Sequence, residues 1–89
     1  MTERINDTNN AGESAVWTPV ADEIIQIDGN GDRKAVVEVH AKLNAEAPFA
    51  YVTSARVASD AFISVVKLPF VKLVWHGNKP GDTLRAWSL

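Results

Sequence analysis

The chain reads as an all-β protein, an antiparallel β-sandwich or small β-barrel of about seven short strands behind a disordered N-terminal arm. Three observations lead there. Short apolar runs alternate with a period of two, and turn signals rich in Gly, Asn and Pro separate them. No segment longer than a turn repeats with the helical period, so an α/β nucleotide-binding fold is set aside.

Residues 1–14 (MTERINDTNNAGES) hold one large apolar side chain besides Met1, Ile5, among polar and charged residues. Such a segment buries too little surface to offset its ordering entropy, so the expectation is a flexible polar arm ahead of a single domain at 15–89. Ala15–Pro19 contains Val16 and Trp17 and ends at a proline. Glu23–Asp28 (EIIQID) is strand-like and runs into Gly29-Asn30-Gly31-Asp32, a tight turn able to supply positive φ. Lys34–Leu43 sorts most cleanly. Ala35, Val37, Val39, Ala41 and Leu43 share one face, opposed by Lys34, Val36, Glu38, His40 and Lys42. Asn44–Pro48 is the one place where a short helical turn fits. Phe49–Val57 alternates again, and Ala61–Lys67 is a further strand broken near Pro69, a residue suited to an edge or bulge. Phe70–His76 sets Val71, Leu73 and Trp75 against Lys72, Val74 and His76. After the turn Gly77-Asn78-Lys79-Pro80-Gly81, Asp82–Leu89 closes the chain as a strand.

Composition narrows the chemistry. Cysteine is absent, which removes disulfides, thiolate metal sites and thiol catalysis. His40 and His76 alone cannot complete a tetrahedral zinc site. A folded body of about 75 residues without staples has little stability to spare, and oligomerisation is the common remedy. The net charge of −2 sits in the arm, where Glu3, Asp7 and Glu13 face only Arg4. The remaining body balances its charges. It therefore lacks the basic field that draws nucleic acid and the self-repulsion that keeps copies apart. No apolar run is long enough to span a membrane as a helix, and the first residues lack a signal-type apolar region. The expectation is a cytoplasmic protein, or one assembled in a cytoplasm, with neither nucleic acid nor membrane as partner.

Each candidate for chemistry falls short. Asp28-Gly-Asn30-Gly-Asp32 begins like a calcium loop, but Arg33 stands where glycine is needed and Val39 where a bidentate glutamate belongs. None of Ser54, Ser59, Ser64 and Ser88 lies in a nucleophile elbow, and no carboxylate is spaced to orient a histidine. Neither glycine pair opens a helix that would cradle phosphate. Lys72, Trp75, His76 and Lys79 approximate a nucleic-acid face, yet Trp75 shares its side with Val71 and Leu73, the pattern of a core residue. No enzyme, cofactor or metal is expected.

Three tryptophans, Trp17, Trp75 and Trp87, are many for so small a domain. If Leu84 and Ala86 face inward, Arg85, Trp87 and Leu89 face out, and exposed aromatics of this kind mark interfaces. Trp87, Leu89 and Arg85, with Ile5 of the arm, are the candidate interface residues. The polar arm, Trp17-Thr18-Pro19, and the hairpin from Gly77 to Gly81 leading into Asp-Thr-Leu-Arg-Ala-Trp resemble the small β-sandwich subunits of tailed-bacteriophage virions, which decorate heads or serve head–tail and fibre assemblies. That resemblance implies a non-enzymatic homo-oligomer, or a subunit meeting other structural or host proteins, located in the virion. The alternative is a small monomeric binding or inhibitor module acting on a host protein or a carbohydrate.

Overall fold

The period-of-two segments are strands in the computed structural model, which describes residues 1–29 and 34–89. In chain order they are β1 (Thr2–Asp7), β2 (Gly12–Glu13), β3 (Glu23–Asp28), β4 (Val36–Lys42), β5 (Ala50–Arg56), β6 (Phe62–Val65), β7 (Phe70–His76) and β8 (Leu84–Ser88). Two four-stranded antiparallel sheets result, with orders β1-β8-β3-β6 and β2-β7-β4-β5. The pairings nest: β1 with β8, β2 with β7, β3 with β6, β4 with β5. The chain is thus one long antiparallel ribbon folded over on itself, and the β3–β8 and β4–β7 ladders close it into two layers. Eight strands in this order form a jelly roll, the sandwich variant of the expected all-β class.

Alternation fills the space between the sheets. β4 buries Val37, Val39 and Ala41, β7 buries Val71, Leu73 and Trp75, and β8 buries Leu84 and Ala86. From the other strands come Ile5, Ile25, Ile27, Ala55, Ile63 and Val65. Side chains of successive strand residues point to opposite faces, so this one stripe suffices to join the layers.

Residues 1–14 correct the expectation of a flexible arm. Thr2–Asp7 pairs with β8 from Thr2↔Ser88 to Asp7↔Leu84, and Gly12–Glu13 pairs with β7. Ile5 enters the core, and Arg4 lies over the Trp17 ring at 4.1 Å while its Nε donates to Ser88 Oγ at 2.9 Å. The backbone ladder does the ordering, and one apolar side chain anchors it. Gly12 is needed for contact: a Cβ there would fall 2.6 Å from the Trp75 ring.

Ala15–Pro19, expected as a strand, makes only an isolated bridge. Trp17 and Val71 exchange backbone hydrogen bonds of 2.9 Å, which continue the β2 pairing along β7. The strand count therefore rises to eight among the described residues, because the first fourteen residues contribute two. The turn at Asn44–Pro48 is capped by Asn44, whose Oδ1 accepts from the amides of Glu46 and Ala47 at 3.1 and 3.0 Å. Gly77 and Gly81 hold φ values of 75° and 95°, as the glycine-flanked turn required. The tight turn and partial calcium loop read at 28–32 fall mainly in residues 30–33, outside the described residues.

Candidate protein interface

The two sides of a sandwich are where sheets end, and an end strand leaves a row of backbone donors and acceptors unpaired. Here the edge strands β5 and β6 approach each other along one side. By the strand orders, β1 and β2 form the other.

The β1/β2 side is protected. β1 carries Glu3, Arg4 and Asp7 in six residues and is bent by a register shift between Glu3 and Ile5; β2 is only two residues long. Charge, a bulge and shortness each discourage a further strand from pairing. Asn78, fully buried at 0% exposure, ties this side to the turn after β7. Its Nδ2 donates to the carbonyls of Asn9 and Asp82, and its own carbonyl accepts from Asn10 Nδ2.

The β5/β6 side is not. β6 (FISV) has no charged residue, and β5 has only Arg56. Phe62 is 61% exposed, Ile24 60% and Val66 57%, and Tyr51 and Val52 of β5 are exposed as well. Ile24 pairs across to Ser64 and Gln26 to Phe62, so Ile24, Phe62 and Val66 form one patch on the outer face beside the β6 edge. Among the described residues of this side, the ladder irregularity is a register shift between Val39 and His40 in the β4–β5 pairing.

The residues singled out from sequence divide. Arg85 and Trp87 do face outward. The Arg85 guanidinium covers the Trp87 ring at 4.7 Å and its Nε donates to Glu3 Oε2 at 2.9 Å, which leaves Trp87 half-buried. That hydrogen bond holds the Glu3 carboxyl below its usual value. Leu89 is 100% exposed. Trp87 sits opposite Gln26, itself opposite Phe62, so these residues share the face of the Ile24–Phe62 patch. Ile5 does not belong with them. It is buried within the single chain at 3% exposure, because the β1 bulge turns it inward.

The outer face of the other sheet carries most of the remaining polar chemistry. Glu38 of β4 stands between two histidines, with His40 Nε2 at 2.8 Å from Oε1 and His76 Nε2 at 3.4 Å from Oε2. The His40 hydrogen bond holds the Glu38 carboxyl below its usual value, and His76 adds to this against the opposing effect of burial. Further along, Lys42 Nζ lies 4.7 Å from the Phe49 ring centre and Lys72 Nζ 4.3 Å from it, while Lys72 also pairs with Glu13 at 3.0 Å. These groups satisfy one another. Among the described residues, no set of three or more His, Cys, Asp or Glu is placed to hold a metal ion.

Ile24, Phe62 and Val66 escaped the sequence reading. The available signal was adjacency: Ile24-Ile25 and Phe62-Ile63 are consecutive apolar pairs in strands, so one member of each must face away from the core. Comparison with protein-family models, with curated proteins and with solved structures finds no match to this chain.

Proposed function

We propose that this protein is a non-enzymatic assembly subunit that associates through the β5/β6 side and the adjoining outer face of the β1-β8-β3-β6 sheet. One observation carries the reading: β1 is guarded by charge and a bulge, while β6, which edges the same sheet, carries no charge and lies beside exposed Ile24, Phe62 and Val66. An uncharged apolar edge is a hazard for a monomer and an asset for a subunit. A virion, where one small protein repeats on a symmetric particle, is the setting we propose. Support for that setting is the jelly-roll order, which viral capsid domains use, although lectins and cupins use it too, and fold likeness is analogy.

A second reading rests on the opposite sheet. Phe49, Phe70 and Tyr51 stand with Lys42 and Lys72 on its outer face, an aromatic and basic surface suited to a small binding module for a host protein or carbohydrate. Sedimentation velocity over a hundredfold concentration range separates the two. A discrete oligomer supports the assembly subunit; a monomer throughout, with Phe49→Ala abolishing capture of a partner, supports the binding module.

A further inference from the structure

We infer that the partner at the β6 edge is a second copy of this chain, joined antiparallel to β6 about a two-fold axis through Ser64. This rests on the assembly reading above and specifies its contact. The Ile27 amide donates to the Ala61 carbonyl at 2.8 Å, and the β3–β6 register continues through Ile25↔Ile63 and Glu23↔Val65. In an antiparallel ladder, backbone groups alternate between the two sides of a strand. Ala61, Ile63 and Val65 therefore turn theirs to β3, while Phe62, Ser64 and Val66 turn theirs to the open edge.

A two-fold through Ser64 makes those three edge residues the hydrogen-bonded pairs. Ser64 meets Ser64 of the second copy, and Phe62 meets Val66 in both directions, each pair exchanging two bonds. Directly opposed residues lie on the same face, so exposed Phe62 covers exposed Val66 outside, and Ile63 meets Val65 on the core side. Ile24, opposite Ser64 on β3, flanks the seam in each copy. Residues 61–66 (AFISVV) carry no charge, so nothing in the strand repels its own copy. With no charge to oppose it and two exposed apolar side chains, Phe62 and Val66, each covered by the other in both halves, the strand favours a second copy over an unrelated peptide. The contact is isologous and closes at two, joining the β1-β8-β3-β6 sheets of both copies into one.

The native chain has no cysteine, so Ser64→Cys introduces a single thiol. In a hydrogen-bonded pair the two Cα atoms are about 5.5 Å apart, within the range a disulfide spans. Mild oxidation of the full-length variant is expected to convert it to a disulfide-linked dimer on a non-reducing gel. Val52→Cys on the β5 edge should link at least about tenfold more slowly under the same conditions. Phe62→Lys, which places a charge opposite Val66, should return the protein to a folded monomer by circular dichroism and sedimentation. If the wild type assembles but Ser64→Cys does not link, or links no faster than Val52→Cys, pairing through β6 is overturned while the assembly reading stands. An unchanged mass for Phe62→Lys overturns it in the same way. A wild type that stays monomeric at high concentration overturns both.

Discussion

β1 and β6 edge the same four-stranded sheet and are made of opposite material. β1 holds three charged residues, a bulge and one core side chain; β6 holds none of the first two and buries Ile63 and Val65. On β1, Glu3 is engaged by Arg85 and Arg4 by Trp17 and Ser88, so the strand is spent on its own fold. β6 shows the reverse, with core contacts on one face and Phe62 unused on the other. The difference teaches that a net charge of only −2 over the chain conceals a local asymmetry. Charge is placed where a further strand would do harm and left out where one would fit.

If β1 serves the fold and β6 serves association, removing β1 has the largest effect. Deleting residues 1–7 uncovers β8 and takes Ile5 from the core, and cooperative denaturant unfolding is expected to disappear. The milder Ile5→Ala should cost about 2–5 kcal/mol by the same measurement. A truncated chain with the wild-type midpoint would restore the flexible arm and end the comparison. Asn78→Ala comes next, at about 1–3 kcal/mol, because on the guarded side the Asp82 carbonyl loses the Asn78 donor and the Asn9 carbonyl keeps only Trp75 Nε1. Trp87→Ala sharpens the contrast at about 1 kcal/mol of stability. Its ring is half covered by Arg85 yet shares the outward face with Phe62, so sedimentation should register a larger loss than the denaturant midpoint.

The smallest effect is in acid. The folded-state carboxyl of Glu38 lies below its ordinary value near 4.5, so its contribution is fully present above that pH. It is lost as pH falls through the lowered folded value. Thermal melts of Glu38→Gln should therefore show a shallower fall than wild type between about pH 5 and pH 3. Identical acid limbs would mean that His40 and His76 do not stabilise the carboxylate.

How much of this was legible in the sequence depends on where each element gets its stability. The strands at 34–43 and 70–76 are central, buried on one face, and announce themselves by alternation of Val37, Val39, Leu73 and Trp75 with polar residues. Residues 2–7 were illegible because composition weighs side-chain burial, whereas β1 is held by its ladder to β8 and by Ile5 alone. Trp17, expected within a strand, makes one bridge to Val71, and Pro19 two residues on has no amide with which to extend a ladder. The outward face of Trp87 followed from alternation, but its cover by Arg85 and Glu3 needed β1 in place. The patch of Ile24, Phe62 and Val66 draws on two segments about forty residues apart, and only the β3–β6 register brings them together.

Sedimentation equilibrium of three proteins tests the asymmetry most directly: wild type, Ile24→Lys beside the β6 edge, and Asn6→Lys on exposed β1. Both variants add one lysine to the same sheet face, at opposite sides of the sandwich. Wild type and Asn6→Lys are expected to share a mass above that of a single chain, while Ile24→Lys falls to the monomer with its fold intact. Equal masses for all three, or dissociation by Asn6→Lys instead, would contradict it.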